Sequence, residues 1–113
     1  MPGRYRVEAQ LFLQETLGGA RFTLNGTAVL SECKIGVCIY DTGGLRTSGR
    51  IGTLGTDITH SSAGAGDHQV TYTGTINVTT AGSLGVYWAQ NTSNAANLTM
   101  ESGSFLRLIP VLV

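Results

Sequence analysis

The chain has 113 residues, 42% of them hydrophobic and only 12% charged, a composition too apolar for disorder and a length that supports one core, so a single domain over 1–113 is expected. Seven basic residues balance seven acidic ones, and a net charge of zero offers no basic footprint for a nucleic-acid partner. A neutral, charge-poor surface also does little to resist self-association.

Period-two alternation dominates, and helical periodicity is nearly missing. From Tyr5 to Leu13 the odd positions read Tyr5, Val7, Ala9, Leu11, Leu13, while the even ones are mostly polar. In a strand such a set lines one face. After Leu17-Gly18-Gly19 the register resumes on even positions, predicting a second strand through Phe22, Leu24, Gly26, Ala28 and Leu30. A third carries Cys33, Ile35, Val37 and Ile39 on one face and stops at the turn formers Asp41-Thr42-Gly43-Gly44. From Leu45 to Gly66 the pattern blurs, and only a short strand at Arg50–Leu54 is expected there. Alternation returns in Gln69–Thr80, with Val70, Tyr72, Gly74, Ile76 and Val78 on one side. Leu84–Gln90 reads as a strand with Leu84, Val86 and Trp88 inward, and the polar stretch Asn91–Asn97 reads as a loop. The tail Ser104–Val113 is apolar on both faces, which predicts burial on both, in mid-sheet or under a partner chain. The sum is an all-β antiparallel β-sandwich of short strands and turns.

No apolar run approaches the roughly 18 residues of a membrane span, and the start, Met1-Pro2-Gly3-Arg4-Tyr5, has no signal-peptide pattern. Apolar or uncharged residues at positions read as outward, Phe12, Tyr40, Tyr87, Leu106 and Leu108, are the expected contacts between identical subunits.

Chemistry-bearing patterns are sparse. Cys33 and Cys38 lie five apart on one strand, so they face opposite ways, roughly 16 Å apart. A disulfide needs Cα atoms within about 7 Å. Cys33 reads as a buried inert thiol and Cys38 as a subunit-contact residue. His60 and His68 flank a small loop with Asp57 and Asp67 nearby, yet neither pair has ligand spacing. They read as solvated turn residues, and neither a metal nor a cofactor is expected. No nucleophile elbow, HExxH motif or phosphate loop occurs, so enzymatic activity is not expected. Four N-x-[ST] triplets, at Asn25, Asn77, Asn91 and Asn97, are read as unmodified.

Three segments carry a family resemblance. Pro2-Gly3-Arg4-Tyr5-Arg6-Val7-Glu8 resembles the opening "Pro-Gly-x-Tyr-x-Phe" strand of complement-type globular heads, which belong to the tumour-necrosis-factor-like jelly rolls. Gly82-Ser83-Leu84-Gly85-Val86-Tyr87-Trp88-Ala89-Gln90-Asn91, followed by Leu98-Thr99-Met100, resembles their penultimate strand and loop. Ser102-Gly103-Ser104-Phe105-Leu106-Arg107-Leu108-Ile109-Pro110 resembles their closing strand, in the form seen in tailed-bacteriophage domains. The strands that precede the "Pro-Gly-x-Tyr" opening in that family have no counterpart here, so a fragment, a fold with fewer strands, or strands lent by a neighbour are the alternatives expected. The resemblance implies a homotrimer acting as a capsid decoration (cement) protein on the outer surface of the virion, bound to the major capsid protein. Arg4, Arg46 and Arg50 are then the expected capsid contacts. The alternative it implies is a receptor-binding knob of a tail fibre or needle, meeting a host-surface receptor through the Thr42–Asp67 and Asn91–Asn97 loops. The lack of heptads for a stalk favours decoration.

Overall fold

The computed structural model describes residues 2–15, 20–41, 44–60, 66–89 and 99–111. Within them the chain is all-β, two antiparallel sheets packed face to face. The strands are β1 (Gly3–Glu15), β2 (Ala20–Asn25), β3 (Val29–Asp41), β4 (Gly44–Ile51), β5 (Ile58–His60), β6 (Gly66–Thr80), β7 (Gly85–Ala89), β8 (Thr99–Met100) and β9 (Phe105–Pro110). The larger sheet runs β4-β3-β6-β1, with β8 and β9 both pairing along the far side of β1; the smaller runs β5-β2-β7.

The alternation in β1 and β6 becomes a two-strand spine, with Val7 opposite Gly74, Ala9 opposite Tyr72 and Leu11 opposite Val70. Its inner face, Val7, Ala9, Leu11, Leu13, Val70, Tyr72 and Ile76, is buried against Ala20, Phe22 and Leu24 of the smaller sheet. Burying aliphatic and aromatic side chains of this kind stabilises by roughly 1.5–3 kcal/mol each. Gly74 is glycine because β3 crosses too close for a side chain: a Cβ there would lie 1.9 Å from the Lys34 carbonyl oxygen.

Four expectations change. The second strand stops at Asn25 rather than running to Leu30, because Gly26 takes a φ of +155° and its Cα tucks under Ser83. Thr27 and Ser83 then lock the corner: the Thr27 amide donates to Ser83 Oγ at 3.1 Å and the Ser83 amide to Thr27 Oγ1 at 2.8 Å. A register shift between Leu30 and Glu32 explains how even-numbered Leu30 and odd-numbered Cys33 and Ile35 both turn towards the core.

β4 spans Gly44–Ile51 instead of Arg50–Leu54. Its core-facing positions carry little apolar bulk before Ile51, so alternation could not reveal it; the long free edge of β3 imposes the strand. Gly49 is bare where Ile58 of the other sheet leans in, 2.8 Å from where a Cβ would stand. β5, three residues long, left no readable pattern.

The last change concerns β9. Among the described residues it is an edge strand, paired with β1 alone, and its two apolar faces are not both buried. Register puts Leu106 opposite Ala9 and Leu108 opposite Val7, on the inner face, while Phe105, Arg107 and Ile109 face outwards. The outward reading of Leu106 and Leu108 is therefore reversed.

Candidate functional site

The residues expected at subunit contacts fall in three places. Phe12 and Tyr40 come together on the outer face of the larger sheet, each opposite Gln69 of β6, which lies between them. Cys38, Thr71, Gln10 and Phe105 form the next row, so these two rows of the sheet carry no charged residue, while Asp67 lies in the row beyond. Tyr87 stands apart, 56% exposed on the outer face of the smaller sheet. Leu106 and Leu108 belong to neither group, being on the inner face at the sandwich edge.

The opposite end of the larger sheet's outer face is a charge ladder. Arg4 and Lys34 flank Glu32 at 3.4 and 3.3 Å, and Arg6 and Arg107 hold Glu8. The hydrogen bond from Arg107, helped by the charges of Arg107 and Arg6, keeps the Glu8 carboxyl below its ordinary pKa against the opposing effect of burial. Surface pairs of this kind contribute little to stability. Arg4 and Arg50 share this face, but Arg4 is engaged with Glu32. The Arg46 side chain lies outside the described residues, as do Thr42, Gly43, residues 61–65 and the Asn91–Asn97 loop.

Both cysteines are free and half-buried. Cys33 turns inward and its thiol donates to the Ile51 carbonyl at 3.5 Å; burial raises its pKa. Cys38 lies beside Tyr40 on the outer face, and its negative charge when ionised, with a hydrogen bond between the two, raises the Tyr40 pKa. His68 is not a solvated turn residue: it is 7% exposed, opposite Leu13 on the inner face. Asp57 and Asp67 remain exposed, Asp67 accepting a hydrogen bond from Gln14. Among the described residues no three His, Cys, Asp or Glu side chains gather as a metal site. Asn77 is taken up inside the sheet, donating to Ser31 Oγ at 2.8 Å.

The feature sequence reasoning missed is the seam between β7 and β9. Of the seven exposed large hydrophobic residues among those described, Tyr87, Trp88, Phe105, Leu108 and Val111 lie on or just after these two strands. Trp88 keeps the inward register expected of it, level with Phe22, yet is 40% exposed because no further strand among the described residues covers it. Grooves of about 250 and 260 Å³ open along the seam, one beside Leu11, Val86, Trp88 and Leu106, the other beside Tyr5, Val78, Leu84 and Leu108. The signal lay in the two-faced apolarity of both segments, which shows a need for cover but not whether the chain meets it.

Comparison with known protein families, with curated proteins and with solved structures finds no match.

Proposed function

We propose that this protein is a structural component of a tailed-bacteriophage virion, a capsid-decoration protein that forms a homotrimer on the outer surface of the head and ties major capsid subunits together. The sandwich is read as a reduced jelly roll of the tumour-necrosis-factor-like kind. The observation that carries the self-associating part is the pair of aromatic residues on the larger sheet's outer face, where Phe12 and Tyr40 flank Gln69. A neutral chain with such a patch has little to keep its copies apart. The capsid part rests on the resemblance of the Pro2–Glu8, Gly82–Asn91 and Ser102–Pro110 segments. No chemical step is assigned; the contribution is buried area and mechanical reinforcement of the shell.

The test pairs mass with binding. Light scattering of the purified protein should give three times the chain mass, and Phe12→Asp with Tyr40→Asp should reduce it to one. The trimer should bind emptied shells of the virus that encodes it and raise their disruption temperature. A stable monomer at micromolar concentration would remove the trimer. Binding to host cells with indifference to shells would replace decoration by the receptor-binding knob.

A further inference from the structure

We infer that the outer face of the larger sheet is a two-pole contact surface, on which the basic half of one copy of this chain takes the acidic end of a second copy. The inference rests on the self-association read from this face and names what meets what; it does not depend on the virion reading.

The net charge of zero hides a separation. Five of the seven lysines and arginines lie in one half of this face: the four that clasp Glu8 and Glu32, together with Arg50 opposite Gly36. That half therefore carries a surplus of three positive charges. Its carboxylates are the covered partners, the Glu8 side chain being 21% exposed against 63% for Arg6 and 61% for Arg107. A guanidinium has five N–H donors and Glu8 engages few of them, so this half shows cations to solvent. The far end of the same sheet has the opposite sign. Strand register places Glu15, Asp41, Asp67 and Glu101 there against Arg46, a surplus of three negative charges. Asp67 and Glu101 are exposed, and no lysine or arginine among the described residues pairs with either. The remaining two charges, Arg21 on β2 and Asp57 just before β5, cancel. Arg6 and Gln14, the partner of Asp67, are eight residues apart on β1, roughly 27 Å. The Debye length at physiological ionic strength is about 8 Å, so the two poles of one molecule cannot neutralise each other.

Two copies can. The surpluses are equal and opposite, so each copy supplies the complement of the other's pole. One row in from Asp67 stand Phe12 and Tyr40, and aromatic rings add an attraction for guanidinium groups. Both poles lie on one face, and two arrangements satisfy them. In an antiparallel pair each pole meets the other about a two-fold axis. In a closed ring each basic half lies on the next copy's acidic end, the heterologous contact that a three-fold axis requires. The face is about 40 Å long and 20 Å wide, from strand rise and spacing, which offers roughly 800 Å² per copy, the share each partner gives to a standard interface. Like pole on like pole would set surplus charges of one sign together, so the separation also fixes orientation.

Sedimentation of the full chain at salt concentrations from low to high reads the contact. The association constant should fall about tenfold or more between roughly 0.05 and 1 M sodium chloride. Lys34→Glu with Arg50→Glu should weaken association about tenfold or more, and Asp67→Lys with Glu101→Lys should do the same. The chain carrying all four has its poles exchanged and its net charge back at zero, and should regain the parent association to within about threefold. Arg21→Glu, on the smaller sheet, should leave association unchanged. Circular dichroism checks that each variant folds; should one fail, the salt dependence of the parent chain decides alone. Association indifferent to salt and to both reversals overturns the inference while leaving the oligomer and its Phe12 and Tyr40 contact standing. Failure of a folded four-substitution chain to recover overturns the match of pole to pole. A mass of two chains with the expected salt and reversal behaviour supports the inference and removes the trimer. A chain that stays single at low salt overturns the inference together with the self-association beneath it, and retention of that single chain on heparin would assign the basic half to a foreign polyanion.

Discussion

The two long sides of this sandwich are built from similar material and finish differently. On one side β4 and β5 bring the sheets together, with Ile58 leaning over the bare Cα of Gly49 and Ile51 fully buried. On the other, β7 and β9 each end their sheet with inward-facing apolar residues that nothing among the described residues covers: Trp88 is 40% exposed and Leu108 37%. Apolar patterning therefore states which face a residue seeks, while closure depends on whether another strand arrives to cover it.

Substitutions matched across the two sides test this contrast. The largest effect is expected from Ile51→Ala, which leaves a cavity on the closed side and should cost about 3 kcal/mol, whereas Leu108→Ala on the open side should cost about 1 kcal/mol or less. Urea denaturation of both variants checks the pair, and equal costs would mean that the seam is filled in solution. Next come two glycines. Gly49→Ala presses a methyl against Ile58 and should cost about 1–2 kcal/mol. Gly85→Ala meets nothing closer than a Tyr87 ring carbon at 3.8 Å and should be neutral or stabilising by about 0.5 kcal/mol.

Tyr72 lies in the larger sheet's central spine, fully buried, with its hydroxyl unpartnered. Tyr72→Phe should therefore stabilise by about 1 kcal/mol, read from the urea midpoint. Burial also raises the Tyr72 pKa above the ordinary tyrosine value. Above about pH 10 the unfolded chain releases a proton that the native chain keeps, so stability should fall by roughly 1.4 kcal/mol per pH unit there. Below that pH this contribution is fully retained, and Tyr72→Phe should remove the alkaline slope attributable to this residue. The smallest effect belongs to Glu8 beside the open edge. Its lowered pKa means that its contribution is present above the ordinary carboxylate range and lost as pH falls through the lower folded value. Glu8→Gln should flatten the acid limb of the stability curve only slightly.

Much of the sandwich could be read from the chain. The β1, β3 and β6 patterns are legible because each has one face in a core and one in water, so apolar residues recur every second position. β4 and β5 were illegible because a strand held by its neighbour's backbone needs no pattern of its own. Leu106 and Leu108 were misassigned for a different reason. When both faces of a segment are apolar, alternation cannot say which is inward, and only pairing with Ala9 and Val7 decides it. His68 was misread because its position at the start of β6 looked like a loop margin, although its even number already placed it in register with Val70 and Tyr72.

By itself, then, the sequence determined the all-β class, the inward sets of the spine, the separation of Cys33 from Cys38, and the neutral surface. These follow from side-chain periodicity and charge, which are local properties. The tertiary structure alone decided that, among the described residues, β9 is an edge and one side of the sandwich stands open, and that Phe12 and Tyr40 share a row while Tyr87 does not. Those outcomes depend on which strands pair over long stretches of chain, and main-chain hydrogen bonding is nearly blind to the side chains that alternation records.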